Sequence, residues 1–212
     1  MVGGMRRRFA ASQWLPYPVP VVFAFLVNPQ HLPLLTPAYL RVRIEKADLV
    51  VPALRPVTPH TFRSAAAGAG STMTISFRPF PLSPLRMRWK AAITEFAWND
   101  HFCDRQTRGP FVFWEHCHRV QEENGGTRIV DEVTYEMKLG ADRLIPAELL
   151  MQKLFHYRQQ TIEQALARWQ SDPNAPLRPA PRVRQPLRKK AGRLKWELMK
   201  LKKQISSNRQ TE

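Results

Sequence analysis

Five titratable side chains in the middle of the chain could do chemistry together if the fold places them side by side. They are Glu95, Asp104, His116, His118 and Asp131. Imidazole and carboxylate groups form charged hydrogen bonds, act as general bases, and bind metal ions through nitrogen and oxygen. No glycine-rich phosphate loop, HExxH helix or GxSxG turn accompanies them, so the sequence predicts no cofactor and no serine nucleophile. The available chemistry therefore depends on the strands that carry the five residues.

The segments around these residues alternate between apolar and polar side chains, which is typical of β-strands. The predicted strands cover residues 71–78, 86–97, 101–107, 112–122 and 127–137. Short turns such as Asn124-Gly125 separate them, and connections of this length require antiparallel pairing. In the last of these strands Arg128 and Glu132 mark the solvent face, so Asp131 is predicted to point inwards.

The turns also predict the register of these strands. The Asn-Gly turn pairs His118 with Asp131, and the loop before it pairs Asp104 with His116. The turn before that is predicted to put Glu95 beside Asp104. Opposite residues on one face have Cβ atoms about 5 Å apart. The sequence therefore predicts a belt of carboxylates and imidazoles on an otherwise apolar inner face.

The remaining segments supply the other elements of the fold. We predict a strand at 9–15, short helices at 21–27 and 30–35, a strand at 40–47, a long loop at 48–69 and a helix at 144–170. The long helix carries an apolar stripe that includes Leu150, Leu154, Tyr157 and Ile162, and the sheet is the only surface large enough to bury that stripe. The fold class is therefore α+β.

One pattern runs through the central strands: Phe102-x-Asp104-x-Gln106-x-x-Gly109-Pro110-Phe111-x-x-Trp114-x-His116-x-His118, then Asp131-x-Val133-x-Tyr135. It resembles the START/Bet v 1-like (SRPBCC, polyketide cyclase-like) ligand-binding superfamily over roughly residues 5–170. The resemblance implies a helix-grip fold, in which a curved antiparallel sheet of about six or seven strands wraps round a long C-terminal helix. It also implies an apolar or lipid-like small molecule held between sheet and helix.

Three interpretations of the inward polar groups stay open: a buried network that shapes a cavity, the polar end of a ligand pocket, or catalysis. Catalysis would use His116 or His118 with Asp104 or Asp131, as a general base of a cyclase or dehydratase or as a metal site. The pattern favours a binding protein over an enzyme. The predicted ligand-binding residues are Trp89, Glu95, Asp104, Gln106, Trp114, His116, His118, Asp131, Val133 and Tyr135.

Beyond the domain at 1–171, the sequence predicts a proline-rich linker at 172–186, a basic amphipathic helix at 187–206 and a disordered end at 207–212. Residues 172–212 carry a net charge of +9 out of +16 for the whole chain. The residues predicted to contact an anionic membrane or a partner are Arg188, Lys189, Lys190, Arg193, Lys195, Trp196, Lys200, Lys202 and Lys203. The like-charged flanks favour the membrane surface over a homodimeric coil, and nucleic acid is the least favoured partner. A role as a scaffold that acts through this helix stays open.

The same register places Cys103 opposite Cys117 on the outer face, and in a cytosolic protein such a pair is more often two free thiols. Two cysteines make neither a disulfide framework nor a zinc motif. No convincing signal peptide is present, and the apolar run at 21–27 is far too short to span a membrane. The expected location is therefore the cytoplasm, and a peripheral position at the inner face of the membrane stays open.

Overall fold

Seven antiparallel strands form one curved sheet whose first and last strands are neighbours. The computed structural model describes residues 6–53, 65–137 and 147–171. The strands are β1 (Arg7–Leu15), β2 (Arg43–Asp48), β3 (Thr72–Phe77), β4 (Met87–Ala97), β5 (His101–Arg108), β6 (Phe113–Glu123) and β7 (Gly126–Glu136). Their order across the sheet is β1-β7-β6-β5-β4-β3-β2.

Two α-helices and two 3-10 turns complete the described part of the chain. They are α1 (Val19–Leu26), the turns Pro29–His31 and Ala38–Leu40, and the long helix α2 (Ala147–Ser171). The predicted helix at 30–35 is therefore only a 3-10 turn, which the side chain of Asn28 opens by accepting a hydrogen bond from the amide of Gln30. No helix within the described ranges has the length and apolar character needed to cross a bilayer.

The β6–β7 hairpin has the predicted register. Asn124 and Gly125 both adopt positive φ values, 50° and 73°, which is the geometry of a two-residue type I′ turn. Because the turn pairs residues 123 and 126, His118 lies opposite Asp131. Asp104 lies opposite His116 in the neighbouring pair of strands, also as predicted.

The β4–β5 hairpin corrects the prediction for Glu95. Ala97 pairs with His101, so the turn contains three residues, with Asn99 at a φ of 58°. The register then shifts between Ile93 and Glu95, which reverses the face on which later side chains point. Glu95 consequently lies opposite Cys103 on the outer face, with a side chain that is 60% exposed.

The outer face also corrects the prediction of two free thiols. Cys103 and Cys117 are directly opposite each other with Cα atoms 4.1 Å apart, and a disulfide joins them. This pairing follows from the register itself, since directly opposed residues of antiparallel strands lie within reach of a disulfide.

The interior contains two apolar clusters. The larger one joins α1 to the C-terminal half of α2 and includes Phe23, Phe25, Ile162 and Leu166. The smaller one joins the N-terminal half of α2 to β6 and β7, and its buried residues are Trp114, Val133, Tyr135, Ala147, Met151 and Phe155. The predicted stripe of α2 was partly wrong, because Leu150 is 44% exposed.

Candidate functional site

A cavity of about 230 Å³ lies under the sheet, beside the two α-helices. Most of its wall is apolar. The large apolar residues that line it are Leu26, Val27, Leu32, Leu35, Leu49, Met73, Ile75, Trp89, Ile93, Phe102, Trp114, Leu154 and Phe155. Four side chains that can carry a charge also line it: Asp104, His116, His118 and Arg158. The shape and lining are those of a site for a largely apolar small molecule with a polar group.

Asp131 lies behind the two histidines and binds both of them. Its Oδ1 is 3.2 Å from Nε2 of His116 and 2.5 Å from Nδ1 of His118. All three side chains are buried, and the two imidazole rings are 3.8 Å apart between centroids. The ring of Phe102 stacks on His118 at 4.3 Å. One carboxylate oxygen therefore fixes the orientation of both imidazoles.

The protonation of this trio follows from its surroundings. Burial alone would raise the pKa of Asp131, but His118, the hydrogen bonds from both imidazoles and the charge of Arg158 outweigh it and hold the pKa well below its usual range. Burial, together with the neighbouring His116 and Arg158, lowers the pKa of His118 to about 3 in spite of Asp131. At neutral pH Asp131 is therefore ionised, and neutral His118 donates its Nδ1 hydrogen to it.

Asp104 faces His116 from β5. Its Oδ2 is 3.8 Å from Nδ1 of His116, on the side of the ring away from Asp131. Burial raises the pKa of Asp104, although His116 and Arg158 oppose this effect. The carboxyl of Asp104 therefore takes up a proton more readily than that of an exposed aspartate.

Arg158 extends into the cavity from α2 and was missed in the sequence. Two hydrogen bonds between β1 and α2 position this turn of the helix. The side chain of Gln13 donates to the backbone carbonyl of Gln159, and the side chain of Gln159 donates to the backbone carbonyl of Ser12, each at 3.0 Å. Arg158 is 9% exposed. The signal was present: Arg158 continues the buried positions Met151 and Phe155 at helical spacing.

Asp104, His116 and His118 could also hold a metal ion. Their candidate ligand atoms all lie within 4.8 Å of one another, and Asp131 would orient both imidazoles as an outer carboxylate commonly does. The guanidinium of Arg158 opposes this use, because its Nη2 is only 3.5 Å from Nδ1 of His118 and its positive charge repels a divalent cation.

The structure brings most of the predicted site residues together. Trp89, Asp104, Trp114, His116 and His118 line the cavity. Asp131 lies directly behind the histidines, and Val133 and Tyr135 are packed in the smaller apolar cluster.

Two of the predicted ligand-binding residues lie away from the cavity. Glu95 points to the outer face because of the shift in β4. Gln106 closes the β5–β6 loop, where its side-chain amide donates to the carbonyl of Phe111 at 2.9 Å. Gly109 leaves room for this contact, since a Cβ there would overlap the side chain of Gln106. The predicted contact residues between Arg188 and Lys203 lie outside the described residues.

The architecture is that of a helix-grip protein, and solved structures with the same fold confirm this class. No family model matches the chain, and no curated protein matches it in sequence. The structure of Ara h 8.0201 is similar with a TM-score of 0.53 at 14% identity, over 77% of this chain and 99% of the other. The major latex-like protein 151 of Panax ginseng is similar at 0.51 and 17%, over 76% and 97%. Protein NE0264 of Nitrosomonas europaea is similar at 0.54 and 12%, over 77% and 96%.

These likenesses establish the fold. The chain has the helix-grip fold, as the resemblance of its central sequence pattern implied. In this chain the space between the curved sheet and the long helix is the cavity described above.

Proposed function

We propose that this chain binds and carries an apolar, lipid-like small molecule in the cavity between the sheet and α2. The observation that carries the proposal is the cavity itself, about 230 Å³ in volume and walled mainly by aliphatic and aromatic side chains. Protein interiors are otherwise close-packed, so a space of this size under a complete sheet is unusual unless a guest occupies it.

Native mass spectrometry of freshly purified protein tests the proposal by looking for a co-purified organic molecule. A cavity-filling variant, Ala91→Phe, should lose this molecule because Ala91 lines the cavity. The matched control is Thr107→Phe on the exposed side of β5, which should keep it. Equal occupancy in both variants would place the guest elsewhere and contradict the proposal.

A second candidate is an enzyme of the cyclase or dehydratase kind. The observation that favours it is the orientation of His118 by Asp131, because an imidazole held by a buried carboxylate is a common general base. Replacing His116 and His118 together with glutamine distinguishes the two functions. A carrier keeps most of its affinity in this double variant, whereas an enzyme stops converting the co-purified molecule.

The basic segment at 187–206 supports a separate proposal, namely attachment to an anionic membrane surface. Salt-dependent pelleting with anionic liposomes, lost on deleting residues 187–212, tests it. A cytoplasmic location also stays a proposal. The disulfide between Cys103 and Cys117 counts against a reducing compartment.

A further inference from the structure

Arg158 is a buried cation with an incomplete set of partners. It is 9% exposed, lines the cavity, and its Nε has no hydrogen-bond partner. Among the described residues, no carboxylate oxygen forms an ion pair with its guanidinium, and its one polar side-chain contact is between Nη2 and Nδ1 of His118 at 3.5 Å. A buried charged group without acceptors is strongly unfavourable.

The contact with His118 does not satisfy the guanidinium. Nδ1 of His118 directs its hydrogen to Oδ1 of Asp131, 2.5 Å away, so this nitrogen has no lone pair to offer Arg158. The Nε and Nη2 edge of the guanidinium therefore needs an acceptor that the described part of the chain does not supply.

We propose that the guest is an amphiphile with a single carboxylate, which the Nε and Nη2 groups of Arg158 bind as a pair of hydrogen-bond donors. This inference rests on the proposed function and adds the chemical class of the ligand. The planar fork of a guanidinium matches the two oxygens of a carboxylate, and such bidentate pairs are among the strongest hydrogen bonds in proteins. The apolar part of the guest lies against Trp89, Trp114 and Phe155.

The nearby acids select a carboxylate over a doubly charged head group. Asp131 is ionised, but its hydrogen bonds go to the two imidazoles. One further negative charge can therefore pair with Arg158. Asp104 lines the same cavity, so a head group with two negative charges would also face this second carboxyl group. A phosphate ester would bring two charges to one guanidinium.

Calorimetric titration of the full chain with decanoate, 1-decanol and decyl phosphate tests the inference. Decanoate should bind at least about 10-fold more tightly than 1-decanol, as expected for a hydrogen-bonded charge pair, and also more tightly than decyl phosphate. Arg158→Met should abolish the preference for decanoate, and Arg158→Lys should keep only part of it, since an ammonium lacks the fork. The matched control is Lys153→Met, which removes the same charge from an exposed position of α2 and should change nothing.

The outcomes separate the two proposals. Equal binding of decanoate and 1-decanol, or a preference that survives in Arg158→Met, overturns the carboxylate and leaves the carrier standing. Equal binding of decyl phosphate and decanoate overturns the choice of head group. If no amphiphile binds, both proposals fail. The melting temperature without ligand gives a second readout. If Arg158 serves to bind the guest, Arg158→Met should melt no lower than the parent chain. A lower melting temperature would mean that Arg158 stabilises the fold instead.

Discussion

The two ends of the interior are built differently although they share one sheet and one helix. At the end nearer α1, Phe23, Phe25 and Leu166 are each fully buried, with 0% exposure. At the other end, α2 contributes Arg158 and Phe155 to a cavity with polar groups on its wall. The first end stabilises the chain by close packing, and the second accepts buried charges and unfilled space that cost stability.

This difference separates folding from binding along the length of α2. Residues of the α1 end that do not line the cavity, such as Phe23 and Leu166, should affect stability without touching the guest. Residues at the cavity end should affect the guest, and they affect stability only where they hold buried charges together. Four experiments test this division, beginning with the largest expected effect.

Replacing Asp131 with alanine should be the most damaging single change. It leaves the buried imidazoles of His116 and His118 without their shared acceptor. Hydrogen bonds to a charged group contribute about 1.5–3 kcal/mol each, so losing two of them should lower the unfolding free energy by about 3–5 kcal/mol. Urea denaturation measures the loss. The control is Glu132→Ala, the next residue on the exposed face, which should change stability by less than about 0.5 kcal/mol. Equal losses in the two variants would mean that the trio does not stabilise the cavity end.

Leu166→Ala tests the filled end. Leu166 is fully buried, so its truncation should lower the unfolding free energy by about 3 kcal/mol through lost burial and a new void. Affinity for the guest should stay the same, because Leu166 does not line the cavity. Leu149→Ala is the control, since Leu149 is 47% exposed. A loss of affinity in Leu166→Ala would show that the two ends are coupled.

The disulfide belongs to neither end, since it lies on the outer face. The two cysteines are 14 residues apart in the sequence. Removing a disulfide that closes a loop of this size typically lowers the unfolding free energy by about 2–3 kcal/mol. The double variant Cys103→Ala, Cys117→Ala should therefore unfold at lower urea concentration than the oxidised parent, with unchanged affinity for the guest. Thiol titration of the unreduced parent under denaturing conditions checks the premise, and two free thiols would contradict it.

The pH dependence of stability between pH 7 and pH 5 should report on the cavity end with the smallest of the four effects. His118 has a pKa of about 3 in the folded chain and about 6.5 when unfolded, so below about pH 6.5 only the unfolded state takes up its proton. Stability therefore falls as the pH drops from 6.5 towards 3, with a slope of at most about 1.4 kcal/mol per pH unit. The lowered pKa of Asp131 adds a loss of the same sign only below about pH 4, and Asp104 acts in the opposite sense while its carboxyl titrates.

Comparing the parent chain with His118→Gln at pH 5, 6 and 7 isolates this contribution. The buried His31, whose pKa burial also lowers, titrates in both chains and cancels. The parent should lose more stability than the variant between pH 7 and pH 5. Parallel curves would show that His118 is already protonated in the folded chain.

The strands and their register could be predicted from the sequence because their signals are local. The Asn124-Gly125 turn and the two-residue alternation of β6 and β7 were enough to pair His118 with Asp131. The register shift in β4 has no such local signal, because it depends on the hydrogen bonds between β4 and β5 beyond their three-residue turn. The predicted inward position of Glu95 was therefore wrong.

The site residues whose places could not be predicted are polar side chains that the fold puts where their residue type is uncommon. An arginine on a helix is normally exposed, so Arg158 was not predicted in the interior. Its position was nevertheless readable, four residues before Ile162 and three after Phe155, both buried. The role of Gln106 depends on the shape of the loop after β5 and has no counterpart in the spacing of residues.

The pairing of β1 with β7 has a consequence for how the chain is made. Phe9 lies opposite Val133, so β1 has no partner until more than a hundred further residues have been synthesised. Closing so long a loop is slow, and contacts of this range delay folding. Until then the amino-terminal segment is an open strand edge, and its run of Arg6, Arg7 and Arg8 supplies the kind of charge that keeps such an edge from pairing with other nascent chains.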